Sequence, residues 1–490
     1  MGGTSNRSTV HGRSLNKIFF LCGIALCLLG CAYPVRNEPA KHIDDRGYRW
    51  SNLKDGQLRD TLVIVTASGG GTRAAALELS VLKGLADIKL AEGGTLADEI
   101  DIVSSVSGGS VTAAYFALHG ASGFANLEKN FIRKNGISAI LQAGLNPIGL
   151  AKLSTPSTER IDLLIDYLNR TLFTDHETYG TLATAARRPY LILNAADMVE
   201  GTPFALTQEN FDLLCSDMTS LSLSAAVAAS AAFPVLLSPM TLKNYSPCDA
   251  RPNVWPPRWA QENSNTSWYD NPERALRGRA QVAYAMGPPK AYIHLLDGGI
   301  ADNLGVAEPL RILTTNSPAP GYLDSIAQGS IKKIVVIMIN ARSFATSDLD
   351  RSPQTPGELA MLGSTISSGI DQTAAGSASR FRAALSTEFS AQAADLRPDF
   401  PDMAANLERI KSNVHLLEID FDAIKDGQCR RSFHNIGTSW TNTEKEIDAL
   451  MLVGRALLSA SPSFGGVLNA VHGSSSDSTE LKTACDRLAN

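Results

Sequence analysis

Residues 102–110 read Ile-Val-Ser-Ser-Val-Ser-Gly-Gly-Ser, an apolar β-branched pair that runs into small polar residues. The residues that follow, 111–118, read Val-Thr-Ala-Ala-Tyr-Phe-Ala-Leu and are typical of a helix. The same order of apolar run, glycine cluster and helical pattern occurs upstream, over residues 61–88. Two consecutive units of strand, tight turn and helix predict the start of a parallel sheet.

The rest of the chain continues this alternation. Further strands are predicted at residues 189–197, 291–299, 332–342 and 414–422. Helical patterns lie between them. We therefore predict an α/β fold with three layers, in which a mostly parallel central sheet carries helices on both faces. In such sheets the functional site lies beyond the carboxyl ends of the strands.

Composition excludes some classes of partner. The chain has 490 residues, 44% of them hydrophobic, a net charge of -5 and no long basic run, so nucleic acid is not an expected partner. No Cys/His cluster with metal-ligand spacing is present, and no metal is expected.

Besides Cys31, a mature chain would keep Cys215, Cys248, Cys429 and Cys485. An oxidising compartment would permit disulfides among these four, and sequence does not choose among the three pairings.

Residues 1–30 have the anatomy of a secretion signal. Three basic residues precede the apolar run Ile18–Gly30, which is short for a membrane span and ends in Leu-Leu-Gly before Cys31. This ending resembles the bacterial lipobox, which implies that Cys31 becomes lipidated. We therefore expect a lipid-anchored protein of the bacterial cell envelope, on the periplasmic side of the outer membrane because Ala32 follows the cysteine. An ordinary secretory signal or an uncleaved anchor stays open.

The expected domain organisation follows from composition. Residues 31–58 are predicted to be a polar tether, and residues 59–462 one domain with an irregular insertion at 244–290. The Ser/Gly-rich residues 463–490 are predicted to be a flexible tail. Three tryptophans of the insertion either touch lipid or pack a small core of their own: Trp255, Trp259 and Trp268.

Ser107 is the candidate nucleophile in the opening stretch. A nucleophile on a tight strand-to-helix turn needs small residues two positions before and after it. Ser107 has Ser105 and Gly109 at these positions, whereas Ser104 and Ser105 have branched residues two positions before them. The start of a helix also favours a developing negative charge. By itself, the stretch favours a serine that caps a helix.

Two further motifs carry possible chemistry. Residues 68–73, Ser-Gly-Gly-Gly-Thr-Arg, can turn several backbone N–H groups into one cavity, as in an oxyanion hole. They match neither common phosphate-loop pattern, and a tight turn is the simpler interpretation. Residues 294–305 read His-Leu-Leu-Asp-Gly-Gly-Ile-Ala-Asp-Asn-Leu-Gly. Here Asp297 ends a strand and could act as a general base, or form an Asx turn.

In this order, the three motifs resemble those of the patatin-like phospholipase family. Residues 226–240 resemble that family's Ala-Ser-x-Ala-x-Pro segment, and the similarity covers about residues 60–310. The resemblance implies a catalytic dyad of Ser107 and Asp297. It also implies that the backbone N–H groups of Gly70 and Gly71 stabilise an oxyanion, and Gly108 is a physically reasonable third donor.

Four positions near the motifs either match the family pattern or depart from it. Arg73 matches the arginine of the family motif, where it either braces the loop or meets a lipid phosphate. Ser105 replaces the first glycine of Gly-x-Ser-x-Gly, and Ala74 replaces the glycine common after the arginine. The family needs no catalytic histidine, and strand alternation places His294 on the face opposite Asp297.

The expected function is therefore that of a serine acyl hydrolase of the patatin type. It would cleave fatty-acyl ester bonds of phospholipids or other membrane lipids without a cofactor. Two alternatives remain: an esterase or thioesterase of the same fold that acts on other substrates, and an inactive envelope lipoprotein that binds lipid or protein.

Overall fold

The protein is described by a computed structural model. It covers residues 35–41, 43, 45–54, 60–136, 140, 158–174, 176–234, 236–247, 255–315, 321–344, 353–374, 377–475 and 481–489. The predicted signal at 1–30, the lipidation candidate Cys31 and Cys248 lie outside these residues.

The described strands, in chain order, are β1 Glu38–Pro39, β2 Thr61–Ala67, β3 Lys89–Leu90, β4 Ile102–Val106, β5 Tyr190–Asp197, β6 Pro203–Leu206, β7 Ser216–Asp217, β8 Met240–Lys243, β9 Tyr292–Asp297, β10 Lys333–Asn340, β11 Val414–Asp420 and β12 Gly473–Ser474.

The described α-helices are α1 Gly71–Asp87, α2 Gly108–His119, α3 Phe124–Leu127, α4 Arg160–Thr171, α5 Tyr179–Ala185, α6 Gln208–Leu213, α7 Leu223–Ser230, α8 Arg258–Ser264, α9 Pro272–Met286, α10 Gly299–Asp302, α11 Ala307–Thr314, α12 Tyr322–Ala327, α13 Glu358–Ala374, α14 Ser377–Leu396, α15 Pro401–Ile410, α16 Gly427–His434, α17 Glu444–Ala460, α18 Phe464–Ala470 and α19 Leu481–Ala489.

An eight-stranded sheet organises the domain. Its order is β11-β10-β2-β4-β5-β9-β8, and β6 pairs with β5. Strands β11, β10, β2, β4 and β5 are mutually parallel, whereas β6, β8 and β9 add antiparallel pairs at one side. The prediction of a mostly parallel α/β sheet is confirmed.

Both faces of the sheet are covered. Successive residues of a strand point to opposite faces. The hydroxyl of Ser104 donates to the carbonyl of Gly305, whereas Ser105 Oγ lies 3.2 Å from Ser110 Oγ in α2. The two serines of β4 thus contact elements on opposite faces of the sheet. All residues of β2 and β4 are buried, as is usual for parallel strands between two helical layers. Helix α1 is buried along most of its length because it packs against both α2 and α17.

The segment predicted to be a tether packs on the domain where it is described. Strand β1 pairs with β7, and Tyr48 is buried with its ring 5.0 Å from that of Tyr190. Trp50 stacks on Tyr322 at 4.1 Å. A few aromatic side chains therefore anchor a stretch whose composition is mainly polar.

The predicted insertion contains two helices, α8 and α9, in its described part. Trp259 is buried under the guanidinium of Arg311, 4.9 Å from its ring centre. The indole of Trp255 donates to the carbonyl of Ala285 at 2.7 Å, whereas Trp268 remains 45% exposed. Of the two predicted roles, Trp255 and Trp259 fit packing into the protein, whereas the partial exposure of Trp268 does not decide its role.

The predicted flexible tail also contains helices, α18 and α19. A disulfide between Cys429 and Cys485 joins α19 to α16, with the two Cα atoms 5.3 Å apart. Cys215 is disulfide-bonded as well. The segment is rich in serine and glycine, a composition that predicts a flexible tail. Its helices nevertheless bury short apolar faces, which include Phe464, Val467 and Ala484.

Among the described residues, no single helix has both the length and the hydropathy needed to cross a bilayer. The consecutive helices α17 and α18 meet these criteria only as a pair, bent by 75° between them.

Candidate active site

Ser107 occupies a strained turn between β4 and α2. Its φ of 52° and ψ of −119° lie outside the regions that ordinary residues favour. Such a conformation persists only where its surroundings enforce it, and it is common at functional sites. The turn also requires glycine at the next position, because a Cβ on Gly108 would lie 2.1 Å from the carbonyl oxygen of Gly71. The turn thus carries the side chain of Ser107 on a rigid corner.

Buried hydroxyl and amide groups hold the corner in place. The N–H of Ser107 donates to Ser230 Oγ at 2.9 Å, and Ser230 in turn donates to the carbonyl of Asn194 at 2.6 Å. Ser110 Oγ lies 2.8 Å from Ser230 Oγ. The amide of Asn194 donates to the carbonyl of Ser105 at 2.9 Å. These bonds join β4, β5, α2 and α7 around the turn.

The hydroxyl of Ser107 donates to Asp297 Oδ2 at 2.6 Å. The second oxygen, Oδ1, accepts the N–H of Gly299 at 2.9 Å. Burial raises the pKa of Asp297 to about 6, against the opposing effect of the hydrogen bonds from Ser107 and Gly299. The carboxylate is therefore ionised at neutral pH and is a better proton acceptor than an exposed aspartate.

The glycine motif lies directly beside this pair. A Cβ on Gly69 would come within 3.2 Å of the Cβ of Ser107. The N–H of Gly69 donates to Asn303 Oδ1 at 3.2 Å, so the motif that contains Asp297 also holds the glycine loop. Within the described part of the chain, the N–H groups of Gly70 and Gly71 donate to no acceptor.

A late segment of the chain closes the other side of the loop. Thr72 donates its N–H to the carbonyl of Ser439 at 2.8 Å. Gly71 has a φ of 61°, and a Cβ there would lie 2.3 Å from the same carbonyl oxygen. Only glycine allows the loop to approach Ser439 so closely in this left-handed conformation.

Arg73 is buried and braces the glycine loop against the same segment. Its Nε donates to the carbonyl of Ala341 at 2.7 Å, and Nη1 donates to the carbonyl of Ile436 at 2.6 Å. Nη2 donates to Thr438 Oγ1 at 3.0 Å. Burial lowers the pKa of Arg73 to about 10, which leaves the group charged at neutral pH. Of its two expected roles, this environment favours bracing over contact with a lipid phosphate.

The remaining expectations concern residues around the dyad. Gly108 follows Ser107 directly, and its N–H also has no acceptor among the described residues. Ser105 is accommodated because its hydroxyl turns towards Ser110. The ring of His294 bonds to Thr241 Oγ1 at 3.0 Å, whereas Ser107 contacts Asp297 directly. In the described part of the chain, no group of three or more His, Cys, Asp or Glu side chains could hold a metal ion.

Sequence reasoning assigned no role to four supporting residues: Asn194, Ser230, Asn303 and Ser439. Ser230 and Asn303 lie within quoted motifs, so their position beside the dyad could have been suspected. Asn194 lies inside strand β5, and a polar residue in a buried, apolar strand is itself a signal that could have been noticed. Ser439 lies in a polar loop with no local pattern that could have revealed its contact.

Together, these groups have the parts that acyl transfer requires. A serine hydroxyl lies against a buried carboxylate, and the loop beside it carries backbone N–H groups that have no acceptor among the described residues. The first pair can generate a nucleophile, and such N–H groups can stabilise the oxyanion of a tetrahedral intermediate.

Comparison with known proteins gives a family match and distant structural similarity. A family model described as patatin-like phospholipase matches residues 65–310, half of the chain. No curated protein sequence matches significantly. Among solved structures, human GIVD cytosolic phospholipase A2 is similar, with 12% identity and a TM-score of 0.42; the alignment covers 94% of this chain and 69% of that one.

Two complexes of the same human protein are also similar. The first, with methyl gamma-linolenyl fluorophosphonate, has 13% identity and a TM-score of 0.38, and the alignment covers 88% of this chain and 60% of that one. The second, with the same inhibitor and terbium chloride, has 15% identity and a TM-score of 0.40, with coverages of 89% and 61%.

Proposed function

Because the chain belongs to the patatin-like phospholipase family, a family of lipid acyl hydrolases, we propose that it cleaves fatty-acyl ester bonds of membrane lipids through a dyad of Ser107 and Asp297. The observation that carries this proposal is the 2.6 Å hydrogen bond from Ser107 Oγ to Asp297 Oδ2. It joins two residues that are far apart in the sequence, in a buried site beside N–H groups that have no acceptor in the described part of the chain.

In the proposed mechanism, Asp297 takes the proton of Ser107 as the hydroxyl oxygen attacks the ester carbonyl. The N–H groups of Gly70, Gly71 and Gly108 stabilise the resulting oxyanion. The leaving alcohol takes the proton back from Asp297, and the acyl group remains on Ser107. Asp297 then removes a proton from water, which attacks the acyl-enzyme. The ester bond to Ser107 breaks, Asp297 returns this proton to Ser107 Oγ, and the fatty acid is released. A pKa of about 6 suits Asp297 to both directions of proton transfer near neutral pH.

A fluorophosphonate probe tests the nucleophile, because it labels only activated serines. We expect labelling of the wild type and none of Ser107→Ala. Ser224→Ala is the matched control, since the Ser224 side chain is also buried but bonds to Ser222 and not to the turn of Ser107. Labelling that persists in Ser107→Ala would contradict the proposal, and no labelling of the wild type would favour the inactive, lipid- or protein-binding alternative.

Substrate class requires a second measurement. Mixed phospholipid vesicles, a short-chain ester and an acyl thioester would be compared as substrates, with products identified by mass spectrometry. Release of fatty acid from vesicles by the wild type but not by Ser107→Ala supports the lipid substrate. Turnover of only the ester or the thioester would instead support the non-phospholipid esterase or thioesterase alternative.

We also propose that the protein reaches its substrate through a lipid anchor on Cys31, at the periplasmic side of the bacterial outer membrane. The support is the signal-like order of residues 1–30 and the Leu-Leu-Gly that precedes Cys31. Dual acyl chains would hold the protein stably at a bilayer. Cys31→Ser should move the protein from the membrane fraction to the soluble fraction; unchanged fractionation would contradict the anchor.

A further inference from the structure

A cavity of about 220 Å³ lies beside the active site but is lined by neither residue of the dyad. Helices α9, α11 and α14 and the turn between β5 and β6 surround it. One wall is formed by Ala301 and Asp302 of α10, the helix that begins two residues after Asp297. The cavity is therefore a separate compartment that shares a wall with the loop carrying the proposed base.

The lining combines apolar side chains with arginines. The apolar side chains are Leu276, Val306, Leu310 and Phe381. The arginines are Arg274, Arg277, Arg311 and Arg380. Leu276 is 40% exposed, which places it at the rim. An apolar wall with a few charged groups is characteristic of sites for small amphiphilic molecules.

Two of the arginines are neutralised by close carboxylates. Arg274 Nη1 lies 2.6 Å from Glu388 Oε2. Arg311 donates from Nε and Nη2 to Glu308 Oε1, at 2.9 and 2.6 Å. These pairs account for the charge of both arginines.

Arg277 differs from these two. Its one hydrogen bond among the described residues runs from Nη1 to the carbonyl of Ala307, at 2.8 Å. Its buried Nε has no acceptor there, and no carboxylate oxygen of the described residues lies within 4.0 Å of the group. Glu308, the strongest favourable charge nearby, is already bound by Arg311. Asp302 uses one oxygen to accept the N–H of Ala307 at 2.7 Å.

Such a guanidinium is unusual in a folded protein. Burial lowers the pKa of Arg277 against the effect of the acidic groups around it. Arg277 is half-buried as a residue, but its Nε is fully buried, and buried polar groups normally find hydrogen-bond acceptors. A guanidinium has five N–H donors in a planar fork that fits two oxygens of a carboxylate or phosphate. The missing acceptor of Arg277 is thus the kind of group that an anionic ligand carries.

We propose that this cavity binds an anionic amphiphile, with its oxyanion head on Arg277 and its alkyl chain along Leu276, Leu310 and Phe381. The volume is below the roughly 300–1,000 Å³ of sites that enclose a drug-sized molecule. The cavity therefore holds the head and the first part of the chain, and the remainder leaves past Leu276. A carboxylate and a phosphate monoester offer the same recognition. This inference does not rest on the proposed hydrolase activity.

Calorimetric titration of the full chain tests it with four probes of equal chain length: octanoate, octyl phosphate, neutral octanol and cationic octyltrimethylammonium. We expect octanoate or octyl phosphate to bind at least tenfold more tightly than octanol, and the cation not to bind. Binding of one anion alone identifies the head group. Equal binding of octanol, or no binding of either anion, would overturn the proposal.

Variants locate the site. Arg277→Met should weaken binding of the anions roughly 10- to 100-fold, as expected for losing hydrogen bonds to a charged group. Arg277→Lys should retain part of the affinity. Arg279→Met is the matched control, because Arg279 lies on the same helix, is exposed over Trp268 and does not line the cavity. Unchanged affinity in Arg277→Met would overturn the proposal. If Arg277→Met does not fold, the proposal is tested by the affinity of Arg277→Lys for the anions and by the affinities of the wild type for octanoate and octanol.

Discussion

The two halves of the candidate site are supported from different parts of the chain. The turn of Ser107 is held by Ser230 and Asn194, which lie inside the region that matches the family. The glycine loop is held through Arg73 and Thr72 by a segment at residues 436–439, beyond that region. The family motifs therefore contain the proposed chemistry, while part of its geometry depends on residues more than 100 positions further along the chain.

Removing the proposed base affects the dyad directly and should give the largest change. In Asp297→Asn we expect kcat to fall on the order of 10⁴-fold, because an amide cannot accept the hydroxyl proton. In the wild type, kcat/KM should decrease as the pH falls through about 6, where Asp297 becomes protonated. Steady-state kinetics from pH 5 to 9 measure both. A profile without this acidic limb would show that Asp297 is not the base.

The same variant has a pH-dependent effect on stability. Folding raises the pKa of Asp297 from 3.8 to about 6, so ionisation at higher pH favours the unfolded state. The penalty is complete above pH 6, about 3 kcal/mol, and absent below the unfolded pKa near 4. Asp297→Asn should therefore be more stable than the wild type at pH 8, and this difference should shrink to less than about 1 kcal/mol at pH 4 in urea denaturation. An equal difference at both pH values would refute this account.

Removing the disulfide between Cys429 and Cys485 tests how strongly the segment 436–439, which holds the glycine loop, depends on this bond. It joins residues 56 positions apart, and the chain-entropy estimate for such a loop is about 4 kcal/mol. Cys485→Ser should reduce the free energy of unfolding by about that amount. Its kcat should change less than about threefold, because buried Phe433 and Ile436 also hold the segment. The control is the double variant with Cys429→Ser, which should match it. A large fall in kcat would mean that the disulfide positions the loop.

Arg73 tests the glycine loop itself. Arg73→Met should lower kcat about 10²- to 10³-fold, the effect of losing one oxyanion donor, with KM nearly unchanged. Arg342→Met is the control, because Arg342 lies in the same region but pairs with Asp422. Vesicle hydrolysis measures both constants. A rise in KM confined to lipids with an anionic phosphate group would instead assign Arg73 to substrate binding.

Ser230 tests the nucleophile turn and should give the smallest change in free energy. Ser230→Ala removes the acceptor of the Ser107 N–H, so we expect a loss of about 1–2 kcal/mol in stability and about a tenfold fall in kcat. Ser224→Ala is the matched control on helix α7, since its hydroxyl bonds only to Ser222 among the described residues. Equal effects of the two variants would show that the turn does not depend on Ser230.

The sequence was most informative where local pattern and chemistry coincide. The alternation of strands and helices predicted the sheet because parallel strands need helical crossovers. Small residues on both sides of Ser107, and the two glycines after Asp297, marked the two corners that the structure brings together. Each signal lies within a few residues of the group it identifies.

The missed features depend on contacts between distant segments. The contact of Ser439 with Gly71 and two of the three hydrogen bonds of Arg73 involve backbone carbonyls, which any sequence supplies. Helix α19 falls in the segment predicted to be a flexible tail. It is held by packing and by the disulfide from Cys485 to Cys429, and neither is visible in the local sequence. Composition alone does not reveal either interaction.

The place of β2 in the sheet has a consequence for biosynthesis. This strand lies between β4, which is made soon after it, and β10, which is made more than 260 residues later. The loop that leaves β2 also needs the carbonyl of Ser439. A nascent or truncated chain that stops before this residue has the dyad motifs but not the finished pocket. The site is therefore complete only once the segment that contains Ser439 has been made and has packed against the glycine loop.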